Sequence, residues 1–256
     1  MNPKSFLIGS ITSTCLALVT QTTALAGTDI LHFFDHATFT NNGVTTNASG
    51  TVNARENTQG NADNETVSLS LKGLDTNAPY ALQISTIEGT NLTSVSDFTT
   101  DNRGRANLNF RNLGTAQSLA HGKLPLPPAM DPVSHLRSFA VLDTNTLAVI
   151  LSADLAAPNH LEYLIKRDLS TNGITATLRI QANNQNARIR VSARGLGATN
   201  DYYLVLNGGI VETNTADAHG RLELLSTLIN PLDVLDLRSV SVWDTGNNVI
   251  VTTILP

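Results

Sequence analysis

Three blocks of this chain occur twice, in the same order, and that internal repeat limits the fold more than any other feature. Val67-Ser68-Leu69-Ser70-Leu71-Lys72-Gly73-Leu74, followed by Tyr80-Ala81-Leu82-Gln83-Ile84, is answered by Ile189-Arg190-Val191-Ser192-Ala193-Arg194-Gly195-Leu196, followed by Tyr202-Tyr203-Leu204-Val205-Leu206. The spacing from Gly to Tyr is the same in both. Thr100-Asp101-Asn102-Arg103-Gly104-Arg105 answers to Ala216-Asp217-Ala218-His219-Gly220-Arg221, and Leu136-Arg137-Ser138-Phe139-Ala140-Val141-Leu142-Asp143 to Leu237-Arg238-Ser239-Val240-Ser241-Val242-Trp243-Asp244. Shared composition does not preserve the order of three blocks. The repeat therefore predicts two copies of one module, at 27–155 and 159–256, with a short linker around 156–159. A module of roughly 100 to 125 residues is of ordinary domain size and far longer than a solenoid repeat.

Each block reads as strand or turn. Val67, Leu69 and Leu71 alternate with Thr66, Ser68 and Ser70, and Ile189, Val191 and Ala193 alternate with Arg188, Arg190 and Ser192, the period of a strand with one face in a core. The Asp-x-x-Gly blocks are tight turns in which an Asp side chain holds backbone amides and Gly104 or Gly220 supplies a positive φ. A composition of 32 Thr and 26 Asn with only 14% charged residues favours short strands and turns over long helices. The expected fold class is all-β: two tandem antiparallel β-sandwich modules, Greek-key-like, of six or seven strands each. The Gly-Leu, Tyr and Thr-Asp-x-x-Gly-Arg pattern resembles in a general way the Greek-key β-sandwich modules repeated in many bacterial extracellular proteins.

The N-terminus points to the same compartment. Lys4, a short apolar run over residues 6–19, and small residues at Ala24 and Ala26 make a secretory signal peptide over 1–26, too short to span a bilayer. Its removal takes away Cys15, the one cysteine, so the mature chain has no disulfide, thiol nucleophile or thiolate metal site. Eukaryotic exported domains commonly carry disulfides, so a bacterial secreted, periplasmic or cell-surface protein is the expectation. A net charge of -5 with four scattered lysines leaves no electrostatic footprint for nucleic acid or anionic lipid.

Catalytic signatures are missing. The chain has no Gly-x-Ser-x-Gly elbow, no His-Glu-x-x-His pair and no phosphate-cradling glycine loop. His32 and His36 would share one face of a strand with Asp35 opposite, two imidazoles without a third ligand. Glu56, Glu65, Glu88 and Asp97 are expected in loops, and Asp101 and Asp217 as turn caps and not calcium ligands. No catalytic residue, metal or cofactor is expected.

Three features remain as candidates for binding. Residues 111–135, containing Leu124-Pro125-Leu126-Pro127-Pro128, form an insertion that the second copy lacks, and their composition predicts an extended segment lying against the protein. Arg188 and Arg190, two apart on a strand, should emerge on one face about 7 Å apart, with Arg179 on a neighbouring strand and Arg194 out of phase. Trp243, the single Trp, is expected on an outer sheet face where an indole can stack on a sugar ring. The functional expectation is a secreted, non-catalytic structural, adhesive or ligand-binding protein acting on a cell-surface or matrix component. A carbohydrate-binding module for an acidic polysaccharide is the alternative, and a secreted hydrolase a distant third.

Overall fold

The computed structural model of the protein describes residues 29–60, 62–112, 123–155, 161–183, 185–228 and 230–255. The expected signal peptide with Cys15, the expected linker at 156–159 and residues 113–122 of the expected insertion lie outside the described residues. Among the described residues the chain is almost wholly β, with no α-helix. The first half supplies β1 (Ile30–Thr38), β2 (Thr40–Asn41), β3 (Ser49–Gln59), β4 (Ala62–Lys72), β5 (Pro79–Thr86), β6 (Gly89–Thr99), β7 (Ala106–Arg111), β8 (Leu124–Pro125), β9 (Leu136–Asp143) and β10 (Val149–Asp154). The second supplies β11 (Glu162–Thr171), β12 (Ile174–Ala182), β13 (Ala187–Arg194), β14 (Asp201–Leu206), β15 (Gly209–Thr215), β16 (Leu222–Leu228), β17 (Ser239–Asp244) and β18 (Val249–Ile254).

These strands form three sheets. One has nine strands in the order β16-β13-β12-β11-β1-β3-β4-β7-β8, one has the order β2-β10-β9-β5-β6, and the third β15-β14-β17-β18. The order β1-β3-β4-β7 in the first half matches β11-β12-β13-β16 in the second, and β10-β9-β5-β6 matches β18-β17-β14-β15. The residues paired by the sequence repeat make the same bonds in both halves. Tyr80 accepts a hydrogen bond through its hydroxyl from Asp75 N at 3.1 Å, and Tyr202 accepts one from Gly197 N at 2.9 Å. Asp101 Oδ1 accepts from the amides of Arg103 and Arg105, as Asp217 Oδ1 does from those of His219 and Arg221.

The joint between the halves is not marked by any block of the repeat. β1 and β11 pair antiparallel with Phe33 opposite Tyr163, so one sheet runs through both halves. Phe33 faces the same rung of β3 (Glu56) that Tyr163 faces on β12 (Ala182), which makes the two residues equivalent. Their rings meet edge to face at 6.5 Å. A contact in which equivalent residues meet each other is the geometry of an isologous dimer, here within one chain.

Alternation places the core as read from the sequence. Val67, Leu69 and Leu71 of β4 and Ile189, Val191 and Ala193 of β13 are buried, while Ser68, Ser70, Arg188 and Arg190 are not. Leu69→Ala should cost about 3 kcal/mol and Val191→Ala about 2 in urea unfolding, against less than about 0.5 for Ser68→Ala. The opposite ranking would invert the register of β4 and β13.

Residues 124–135 of the inserted segment pack against the first half. Leu124–Pro125 runs parallel to β7 and covers its edge, and two short 3-10 turns at Pro128–Met130 and Val133–His135 follow. Met130 and Val133 are fully buried, so the segment plugs the gap between the two sheets. In the second half a single 3-10 turn, Pro231–Asp236, does this with Val234.

Candidate functional site

The outward face of the nine-stranded sheet carries the predicted arginines. In register across four strands stand Lys166 of β11, Arg179 of β12, Arg190 of β13 and Leu225 of β16, and the next rung holds Leu164, Gln181, Arg188 and Thr227. Arg179 is directly opposite both Lys166 and Arg190. Like charges in that relation repel, so a row of three cations is held together against its own electrostatics. Arg179, Arg188 and Arg190 are exposed, and with Gln181, Glu223 and Leu225 they line a shallow concavity of about 250 Å³. Glu223 pairs with Arg190 at 2.6 Å.

Arg194 corrects one expectation. It continues the alternation of Arg188 and Arg190 on the exposed face, opposite Thr175, because β13 runs to it with no bulge. The equivalent positions of the first half are His36, Asn53, Thr66 and Ser68 in place of Lys166, Arg179, Arg188 and Arg190. The basic row therefore belongs to the second half.

Trp243 is not part of this face. It lies on β17 in the four-stranded sheet, opposite Tyr203 and beside a bulge, half-buried, with its indole Nε1 buried and without a hydrogen-bond partner among the described residues. Tyr203 and Trp243 stand on the outer face of that sheet, as the sequence predicts, since Leu204 and Val242 on the next rung are in the core. His32 and His36 do share the outward face of β1, with Asp35 turned inward; His32 hydrogen-bonds Asn57 and lies 3.8 Å from Glu162.

The inward face contains what the sequence reading missed. Glu56, Glu65 and Asp97 are strand residues, not loop residues, and Glu56 of β3 stands directly opposite Glu65 of β4. Both are buried, at 4% and 1% exposure. The signal was the parity itself: Glu65 continues the inward series Leu71, Leu69, Val67, and Glu56 continues Val52, Ala54. Glu65 Oε1 accepts from Val133 N and Glu56 Oε2 from Ser134 N, both at 2.9 Å, so the pair holds the first amides of the second 3-10 turn. Exposed Asp63 completes a trio in which one carboxylate oxygen from each residue lies within 4.8 Å of the other two. Burial pushes the Glu65 carboxyl up to about 7 against the Val133 amide, with Glu56, Asp131 and Asp63 adding to the rise. Glu56 is raised by burial in the same way, with the Ser134 amide opposing.

A second inward carboxylate, Asp35, is 1% exposed. Its Oδ1 accepts from the amide of His36 at 2.7 Å, while its Oδ2 has no partner among the described residues. Burial raises it to about 7, opposed by that amide and by the Arg137 guanidinium. Arg137 in turn donates to Ser134 O and Leu136 O and reaches Leu235 O of the second half, as Arg238 donates to Leu235 O and Leu237 O. A scan against family models and a search among curated proteins give no match to this chain.

Proposed function

We propose that this is a secreted, non-catalytic binding protein of the bacterial exterior, built of two tandem Greek-key-like β-sandwich modules that follow a cleaved signal peptide over 1–26, and that its second module takes an acidic polysaccharide. The row of Lys166, Arg179 and Arg190, joined by Arg188 on the next rung, is the observation that carries the reading. Guanidinium groups take carboxylate and sulfate oxygens in bidentate fashion, and cations spaced by the strand separation of about 4.8 Å suit a polymer with repeated anionic groups. An anionic chain laid across the strands would relieve the repulsion within the row. The rest of the outward face offers hydroxyls and amides from Thr, Ser and Asn, partners suited to sugar hydroxyls.

The test uses the full chain, because the halves share a sheet through β1 and β11. Binding to uronate-containing and sulfated glycans, measured by calorimetry, should weaken as salt rises and fall at least tenfold in Arg188→Ser/Arg190→Ser with unchanged circular dichroism. Binding that survives the double substitution, or neutral glycans bound as tightly as acidic ones, would remove the polysaccharide from the proposal.

A further inference from the structure

We propose that Glu56, Asp63, Glu65 and the hydroxyl of Ser134 form a calcium site that fastens the inserted segment to the nine-stranded sheet. The two halves themselves supply the control. Glu56 pairs with Glu65 where, in the second half, Ala182 pairs with Ala187. Ser134, two residues before the shared Leu-Arg, corresponds to Leu235. Ala182, Ala187 and Leu235 are buried at 4%, 0% and 6% exposure, so this position in the fold packs well with three apolar side chains. The first half fills it with two carboxylates and a hydroxyl, at the cost of like charges directly opposite each other in a buried place.

Capping the 3-10 turn accounts for one oxygen of each glutamate and leaves the other. Asn112 Nδ2 donates to Asp63 Oδ2 at 3.1 Å and approaches Glu65 Oε2 at 3.5 Å, which neutralises no charge. The charged groups that act on Glu65 are Glu56, Asp131 and Asp63, all of them acids. Ser134 gives a separate indication. It is 4% exposed, its amide donates to Glu56 Oε2 at 2.9 Å, and its hydroxyl has no hydrogen-bond partner of ordinary geometry among the described residues. A cation between these oxygens would satisfy the hydroxyl and the carboxylates together.

The donor set selects the ion. All the donors are oxygens, three of them carboxylates, which suits a hard divalent cation. Calcium holds oxygens at about 2.4 Å in flexible geometry, so ligands on opposite sides of it stand up to about 4.8 Å apart. One oxygen from each of the three carboxylates lies within 4.8 Å of the other two. Asp63, exposed at the end of β4, leaves the site open for entry and for water to complete the coordination.

The test starts from protein stripped with a chelator. Calorimetry should find one calcium per chain, and calcium at about a hundredfold over its Kd should raise Tm by about 5 to 10 °C, with magnesium at the same concentration doing less. Asp63→Asn should lower calcium affinity at least tenfold without lowering Tm in chelator, since Asp63 is exposed. Glu65→Gln keeps an acceptor for Val133 N and should lose the calcium response as well. A Tm that is the same in calcium and in chelator would overturn the proposal, because the cluster would then be a pair of neutral acids capping a turn. A calcium-dependent rise that persists in both variants would overturn it too, by placing the ion elsewhere.

Discussion

Gly104→Ala should cost about 4 kcal/mol of folding stability, and Gly220→Ala about as much, whereas Gly173→Ala should cost about 1. All three glycines have positive φ, at 67°, 68° and 82°. They differ in what a side chain would meet. A Cβ on Gly104 would lie 1.9 Å from the carbonyl oxygen of Leu74, and one on Gly220 would lie 2.3 Å from that of Leu196, while Gly173 has open space around it. The backbone cannot retreat, since Leu74 N donates to Gly104 O and Leu196 N to Gly220 O, each at 3.1 Å. Each glycine is thus the point where the Asp-x-x-Gly turn is fastened to the end of the preceding strand pair, once in each half. Urea unfolding with an unchanged m-value measures the loss. Equal costs at Gly104 and Gly173 would mean that the close approach does not exist.

These glycines were legible because turn chemistry is local. Asp101 and Gly104 lie three residues apart, and the requirement for positive φ and for amide-binding oxygen is met within one turn. The inward faces of β4 and β13 were legible for a similar reason, since alternation needs no knowledge of the partner strand. What could not be read directly was pairing. Glu56 and Glu65 read as loop residues until the β3–β4 hairpin sets one opposite the other, and their burial is completed by Val133 and Ser134, some seventy residues away. The joint of β1 with β11 was hidden in the same way, because the outer strand of a module reads alike whether its edge meets water or its own copy. The outward place of Trp243 was legible from its alternation with Val242, but its neighbour Tyr203 across the strands and the bulge between Val242 and Trp243 were not, because both depend on pairing.

Folding stability, measured in chelator, should fall as pH is raised from about 5 to 8, and Asp35→Asn should remove a large part of that fall. The carboxyl of Asp35 is raised from 3.8 to about 7, chiefly because burial disfavours its ionised form. Between those values the folded state keeps a proton that the unfolded chain has released, so each step up in pH favours unfolding, and the penalty is complete above about pH 7. A difference of this size corresponds to something on the order of 2–4 kcal/mol. Glu65, raised to about 7 by its own burial, acts in the same direction and accounts for the slope that remains in the variant. At lower pH the turn aspartates take over with the opposite sign. Asp101, Asp143, Asp217 and Asp244 are held below the usual carboxylate range, the first three mainly by backbone amides and Asp244 mainly by the Asn248 side chain, so their contribution is lost as pH falls through their folded values. The two trends place the stability maximum in the mildly acidic range, roughly pH 4.5 to 5.5. Asn at position 35 keeps an acceptor for the His36 amide and never ionises, so the variant should be close to wild type at pH 5 and more stable at pH 8. A variant that parallels the wild type at every pH would show that Asp35 is solvated, and that the unpaired Oδ2 has found water or the Arg137 guanidinium in solution.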